Sequence, residues 1–242
     1  IQLIEDTFSG DRKDKILAMY KYFEDRMSVA PASGKAAYHN AMVGGYVEHV
    51  LHVTDCALQI KKLWESNGAT INFTDEELIF AALHHDLGKV GDLDKDYYIP
   101  QDSEWHRKNR GEIFKHNPNL QYMTVTDRAI YLLNHFGIQM SEWEYIGLRL
   151  TDGLYEEANK SYYISYNPDW SLKSNIAYIL HQADSMATHI EYDEWQRLDE
   201  ESNTQLQTNF KKAVDTRKKG EIKSPKLSEK SQDLFDELFG DK

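Results

Sequence analysis

The adjacent pair His85-Asp86 has the side-chain types needed to bind a metal ion. It lies just after an apolar run, residues 78–83, where a charged group is costly to bury without a partner. An imidazole and a carboxylate together form a mixed ligand set that suits Mn, Fe, Co, Ni or Zn. Because one dipeptide cannot fill a coordination shell, other segments of the chain must supply further ligands.

His49 and Asp184 are the best candidates for these further ligands. His49 lies in the middle of one long predicted helix, and Asp184 lies in another, among small and apolar residues where water is scarce. Three predicted helices would then bring two histidines and two aspartates to one divalent ion. The predicted metal ligands are therefore His49, His85, Asp86 and Asp184. Their types do not distinguish among Mn, Fe, Co, Ni, Zn and Mg.

The order and local contexts of these residues resemble the HD-domain superfamily of metal-dependent phosphohydrolases. Residues 44–49 (GGYVEH) are similar to the glycine-rich approach to that family's first histidine. Residues 83–89 (LHHDLGK) are similar to its central motif, and residues 181–184 (HQAD) to its last. The resemblance covers about residues 37–190. It implies an all-helical fold with one or two divalent ions, and hydrolysis of phosphate esters or anhydrides.

Two of these residues are predicted to act in catalysis, Asp86 and Lys89. A divalent ion lowers the pKa of a coordinated water and polarises a phosphoryl oxygen. Asp86 would either bridge two ions or orient a water on one. Lys89 follows Asp86 by about one helical turn, so its ammonium group could reach a phosphate of the substrate. The alternative for Lys89 is a helix-end charge that opposes the macrodipole.

A second metal site is a further hypothesis, and it rests on the resemblance. Dinuclear members of the superfamily carry two more histidines between the central motif and the last aspartate, and His116 and His135 occupy that interval. The alternatives are an exposed loop histidine for His116 and a helix C-terminal histidine for His135. A second site would also permit an HD-type di-iron oxygenase, which we weigh as an alternative function. A non-catalytic binding module with a structural metal is another.

The polar and aromatic loop 151–163 is predicted to line a substrate pocket, with tyrosines stacking on a base or sugar and a lysine meeting phosphate. An aromatic surface loop is the alternative. His52 is expected at the surface. The predicted substrate-binding residues are His84, Asp152, Tyr155, Asn159 and Lys160.

The elements that position these side chains all have helical periodicity. Val, Ile and Thr do not alternate over a convincing strand length, which predicts an all-α fold. Thr74 with Glu77, and Ser141 with Glu144, are predicted capping boxes. Residues 92–102 are expected to form a loop. The other predicted helices cover about 11–27, 37–64, 105–115, 125–136, 142–150 and 172–198.

Composition limits the classes of partner and location. The 242 residues carry a net charge of −12, which argues against non-specific binding of duplex nucleic acid but not against a small phosphorylated substrate. No apolar run approaches the roughly 18 residues of a membrane span. The single cysteine, Cys56, cannot form an internal disulfide and is typical of a cytoplasmic protein.

The chain is predicted to divide into a helical domain, residues 1–200, and a charged linker with an amphipathic tail, residues 201–242. Leucine and phenylalanine recur in two adjacent pairs in residues 232–239. This tail resembles the C-terminal peptides by which bacteriophage polymerases and related proteins bind their sliding clamp, which would suit a bacteriophage-encoded protein. The alternative is that the tail packs on its own domain or on a second subunit in a homodimer.

Overall fold

A computed structural model describes residues 1–197 and 208–215, and it confirms the prediction of an all-α fold. Within these residues the only sheet has two short strands. The helices are α1 (Gln2–Thr7), α2 (Gly10–Met27), α3 (Gly45–Ser66), α4 (Asp75–His84), α5 (Glu104–Arg110), α6 (Val125–His135), α7 (Glu142–Arg149), α8 (Lys160–Tyr163), α9 (Ile176–Trp195) and α10 (208–215). Four short 3₁₀ segments cover Leu87–Val90, Gly153–Tyr155, Glu157–Asn159 and Pro168–Trp170.

Both predicted capping boxes are confirmed. The Thr74 hydroxyl accepts from the Glu77 amide, and the Glu77 carboxylate accepts from the Thr74 amide. Ser141 and Glu144 form the same reciprocal pair at the start of α7. The caps fix where α4 and α7 begin, because they satisfy backbone donors that have no partner inside the helix.

Helix α3 lies at the centre of the domain and packs against both α4 and α9. Many of the residues that these helices bury are small or β-branched, which lets their backbones approach closely. Most of this core is formed by Val53, Cys56, Ala57, Leu78, Ala81, Ala82, Ile176, Ile179, Leu180, Ala183 and Ala187. The free thiol of Cys56 is buried here as a small apolar group, as expected.

A second apolar core joins α2 and α6 to the other side of α4. Phe23 of α2 and Phe80 of α4 are fully buried in it, together with Leu132 and Leu133 of α6. Burial of aromatic side chains of this size contributes about 1.5–3 kcal/mol each. The His85-Asp86 pair lies between the two cores, because it follows the last turn of α4 directly.

Helix α3 begins at Gly45, eight residues later than the predicted helix 37–64. Gly44 has φ +82, a left-handed conformation that cannot continue a helix toward the N-terminus. Asn40 is also left-handed, with φ +39, so residues 37–44 form an irregular loop.

The predicted helix 105–115 ends at Arg110, because Gly111 caps it in a left-handed conformation with φ +62. The chain then forms strand β2 (Phe114–His116), which pairs antiparallel with β1 (Tyr98–Pro100), inside the predicted loop 92–102. Strands of three residues are too short to show the alternation by which a sequence identifies them.

Residues 208–215, which the sequence assigns to the linker, form helix α10. Phe210 is 2% exposed and packs on Phe114, with ring centroids 4.5 Å apart. This part of the predicted linker therefore belongs to the folded domain. The proposed clamp-binding tail lies outside the described residues. Among the helices of residues 1–197 and 208–215, none has the length and apolar character needed to cross a membrane.

The 3₁₀ segment Leu87–Val90 packs against α6 with almost no clearance. A Cβ on Gly88 would lie 2.1 Å from the carbonyl oxygen of Val125, at the first residue of α6. No side chain other than hydrogen fits without displacing the backbone on which Asp86 and Lys89 are carried.

We therefore expect Gly88→Ala to reduce the free energy of unfolding by about 2–4 kcal/mol through overpacking. Gly68→Ala is the control, because Gly68 has φ +91 but a Cβ added there would meet no atom within 4 Å. It should lose only the roughly 1–2 kcal/mol of left-handed backbone strain. Urea denaturation followed by circular dichroism gives both values, and equal losses would contradict the packing argument.

Candidate metal centre

Three helices bring the four predicted ligands together at one point. His49 extends from α3, Asp184 extends from α9, and His85 and Asp86 follow α4. The small residues between α3, α4 and α9 allow the helices to pack closely enough for side chains from all three to meet. The convergence of His49, His85, Asp86 and Asp184 that the sequence predicts is therefore present.

The donor atoms of the cluster lie at distances suited to one ion. The Asp184 Oδ1 lies 3.2 Å from the His49 Nε2 and 3.8 Å from the His85 Nε2. The Asp86 Oδ2 lies 3.6 Å from each of the same two nitrogens. Neighbouring donors on an ion with bonds of about 2.1 Å are separated by about 3.0–3.4 Å. These buried groups could hold a metal ion.

Both histidines are oriented by hydrogen bonds on the opposite side of the ring. The His49 Nδ1 donates to the Glu191 carboxylate at 3.0 Å, and the His85 Nδ1 donates to the Ala82 carbonyl at 2.7 Å. These bonds leave each Nε2 directed at the two aspartates. Histidines that bind metal ions commonly have such a hydrogen-bond partner on the other ring nitrogen, which fixes the tautomer and the orientation of the ring. The His85 Nε2 is buried and has no hydrogen-bond partner.

Opposing effects set the charges in the cluster. Burial disfavours the charged form of His49, but the carboxylates of Glu191 and Asp184 outweigh it and raise the pKa of His49 to about 10. Burial alone would raise the pKa of Asp184, yet its hydrogen bond with His49 and the positive charges nearby lower that pKa. The His49 Nε2, which faces Asp86 and Asp184, cannot hold a proton and a metal ion at once, so an ion must displace that proton.

Lys89 lies beside the cluster. Its ammonium nitrogen is 2.5 Å from the Asp86 Oδ2, and its side chain is 13% exposed. Burial opposes the charge on Asp86, but Lys89, followed by His85 and His49, lowers the pKa of this carboxyl. Lys89 therefore stays positively charged and pairs with a predicted metal ligand. A charge that only compensated the helix end would not require this contact.

The cluster opens toward solvent on the Asp184 side. The exposed fraction of the side chains rises from 1% at His49 and 3% at His85 to 24% at Asp184. Asp152 is an exposed residue near the cluster, and it accepts a hydrogen bond from Thr126 at 3.3 Å. Desolvation, followed by the negative charges of Asp86 and Asp184, raises the pKa of Asp152. The Asp152 carboxyl therefore interacts electrostatically with the cluster.

Two predicted substrate-binding residues have structural roles instead, which corrects the prediction. His84 is fully buried in the apolar core, where its Nδ1 donates to the Phe80 carbonyl at 2.7 Å and its ring packs edge-on against Tyr20. Asn159 is also fully buried, and its side-chain oxygen accepts from Arg149 at 2.6 Å. Neither side chain faces the opening of the cluster.

Two further predicted substrate-binding residues, Tyr155 and Lys160 of the loop 151–163, lie at the surface. Tyr155 is 88% exposed, and its ring lies 6.1 Å from that of His181, which is bonded to the Thr151 carbonyl. Lys160 is exposed and lies 3.6 Å from Glu157. The structure thus leaves Tyr155 and Lys160 accessible to a substrate. Neither side chain is among the potential metal ligands.

His116 and His135 do not join the metal centre. Both are exposed, His116 packing on Tyr97 and His135 packing near Tyr131. Neither takes part in a group of three or more potential metal donors among residues 1–197 and 208–215. The structure therefore gives no second site at the two positions that the resemblance suggested.

Glu191 and His39 adjoin the centre and were not identified from the sequence. Glu191 is 3% exposed and also accepts from the His52 Nδ1 at 2.9 Å, so His52 is not the free surface residue that we expected. One signal was available for Glu191, which follows Asp184 by seven residues and so shares its helix face. His39 lies in the loop before α3, where no periodicity predicts its direction.

Comparisons with protein-family models, curated proteins and solved structures find no match to this chain.

The role of Glu191 can be tested by Glu191→Gln, which removes the negative charge that holds His49 in place. We expect the affinity for Co²⁺, measured by calorimetric titration, to fall about 10- to 100-fold, as is usual when an outer partner of a histidine ligand is lost. Asp193→Asn, at an exposed acid on the same helix, should leave the affinity unchanged. Equal affinities for wild type and Glu191→Gln would show that Glu191 does not orient a ligand.

Proposed function

We propose that the protein is a metal-dependent phosphohydrolase of the HD-domain superfamily that acts on a nucleotide or a short phosphodiester. The observation that carries the proposal is the convergence of two imidazole nitrogens and two carboxylate oxygens within 3.2–3.8 Å, beside the ammonium group of Lys89. The sequence motifs that resemble the superfamily supply these same residues.

The residues present fit a divalent ion. The His85 Nε2 is buried without a hydrogen bond, so it lacks the partner that a buried polar atom requires. Two imidazoles and two carboxylates form a mixed set that accepts Mn, Fe, Co, Ni or Zn, and Mg less readily. When bound, the ion would activate water and polarise a phosphoryl oxygen.

The chain's own groups would bind and orient the phosphate. Lys89 carries a positive charge close to Asp86, and such a charge stabilises the negative charge that grows on phosphate oxygens during hydrolysis. Asp152, which accepts a hydrogen bond from Thr126, lies near Asp86 and Asp184 and would contact a substrate bound there. The local positive charge matters because the chain as a whole carries −12 and repels anions at long range.

The preference for a nucleotide rests on the superfamily resemblance and on one surface feature. Tyr155 is exposed on the loop that follows Asp152, and an aromatic ring in this position can stack on a base. An oxygenase with two irons receives no comparable support, since His116 and His135 lie outside the cluster.

The activity can be tested by screening the purified protein with Mn²⁺, Co²⁺, Ni²⁺ and Mg²⁺ against nucleoside mono-, di- and triphosphates, cyclic nucleotides and short oligonucleotides. We expect metal-dependent release of phosphate or of a nucleotide from at least one class. Asp86→Ala is the negative control for a contaminating enzyme. Metal binding without hydrolysis of any class would favour a non-catalytic module instead.

Substitutions at the centre should separate metal binding from turnover. His85→Ala and Asp86→Ala are expected to lose both bound metal and activity, because each removes a donor. Lys89→Ala should keep its metal and lose about 10²- to 10³-fold in turnover, since only transition-state stabilisation is removed. Metal content and steady-state kinetics measure the two effects.

The exposed Lys108 supplies the matched control, because its side chain is 74% exposed and pairs with a neighbouring surface glutamate, Glu104. Lys108→Ala should resemble wild type in both measurements. If Lys89→Ala behaves like Lys108→Ala, Lys89 has no role in the reaction. Full activity in Asp86→Ala would contradict the proposed function itself.

A further inference from the structure

His39 is a polar side chain in the interior beside the metal centre that has no hydrogen-bond partner. Both of its ring nitrogens are buried, and neither has a partner in the described part of the chain. Its ring centroid lies 4.5 Å from that of His49, at an interplanar angle of 38°. Two buried ring nitrogens without partners on a partly buried side chain require an explanation, and a ligand is one of the few that apply.

The position of His39 relative to the cluster is suited to metal binding. A nitrogen of His39 and donor atoms of His49 and Asp86 lie within 4.8 Å of one another. Donors on opposite sides of one ion, with bonds of about 2.1 Å, are separated by about 4.2 Å. His39 is thus within reach of an ion held by His49 and Asp86, the two residues with which it forms a possible ligand group.

The loop that carries His39 is held in place by specific backbone contacts. The Asn40 carbonyl accepts from the amides of Ala32 and Met42, at 3.1 and 2.8 Å. A Cβ on Gly45 would lie 2.0 Å from this same carbonyl, so only glycine allows the loop to contact the start of α3. Asn40 itself is held in the left-handed region at φ +39, a strained conformation that often occurs at functional sites.

The loop contact and the position of His39 are linked through α3. Gly45 precedes His49 by four residues, about one helical turn, so a loop seated on Gly45 lies next to the His49 ring. The glycine at the start of α3 therefore does more than begin the helix. It allows a histidine from outside the helices to approach the centre.

We propose that His39 is a fifth protein donor to the same ion that His49, His85, Asp86 and Asp184 bind. This inference rests on the proposed metal-dependent function. The charge of Lys89, 2.5 Å from the Asp86 Oδ2, disfavours a second divalent ion on that carboxylate, so His39 serves one shared ion. Three imidazoles and two carboxylates favour Mn, Fe, Co, Ni or Zn over Mg more strongly than the four-donor set does.

The experiment uses Co²⁺, whose visible absorption responds to the number of nitrogen donors around it. Wild type, His39→Ala and His39→Phe are titrated with Co²⁺ by calorimetry and by absorption. His39→Phe keeps an aromatic ring against His49 and removes only the nitrogens. Both variants should still bind one ion, with at least the roughly 10-fold lower affinity that mutations around metal ligands cause and with an altered spectrum.

His135→Ala is the control for loss of a histidine, because His135 is exposed and outside the cluster. It should match wild type. Unchanged affinity and spectrum in His39→Phe would overturn the proposal. Loss of a separate, second equivalent of Co²⁺ in that variant, with the first unchanged, would also overturn it in favour of a two-ion centre.

His85→Ala distinguishes failure of this inference from failure of the proposed function. If His85→Ala binds Co²⁺ as wild type does, the four-donor centre itself is wrong. If it loses Co²⁺ while His39→Phe is unaffected, the centre stands and only the role of His39 is rejected.

Discussion

Electron-rich atoms converge in the interior of this domain, and they repel one another unless positive charge lies among them. The two aspartates contribute carboxylate oxygens, and the Nε2 atoms of His49 and His85 are turned toward them by hydrogen bonds on the far side of each ring. Burying such groups is unfavourable by several kcal/mol per charge unless they are paired. Lys89 neutralises Asp86 from one side only. A proton on His49, or a bound cation that displaces it, balances the remaining charge.

The packing of the helices serves this arrangement. Small residues bring α3, α4 and α9 close enough for their side chains to meet. Gly88 allows the segment after Asp86 to contact α6, and Gly45 allows the loop with His39 to contact α3. In both places a carbonyl oxygen occupies the space of a missing Cβ. The glycines near the motif therefore position the residues of the cluster by permitting close backbone contacts, in addition to ending or starting helices.

Much of the fold and the core of the site could be predicted from the sequence, because both follow from local patterns. Helical periodicity and capping boxes indicated α2, α4, α6 and α7, and the context of His85-Asp86 indicated a ligand pair. Strands β1 and β2 were missed because three residues show no alternation. Helix α10 was missed because its surroundings are rich in charge and only Phe210 and Val214 are buried.

The residues of the site that could not be predicted depend on contacts between distant parts of the chain. Glu191 meets His49 across 142 positions, and its place on the Asp184 face of α9 does not by itself identify His49 as its partner. His84 was predicted to bind substrate, yet periodicity alone does not tell which side of a buried helix faces a cavity and which faces the core. His39 depends on the path of an irregular loop. Such features follow from tertiary packing, which overrides local preference.

The most direct test of the account is an anomalous diffraction measurement on crystals grown with Mn²⁺. The account predicts one strong peak at about 2.0–2.3 Å from the Nε2 atoms of His49 and His85 and from carboxylate oxygens of Asp86 and Asp184. No peak at these atoms, or a peak only at surface carboxylates, would contradict the claim that this cluster is a metal centre.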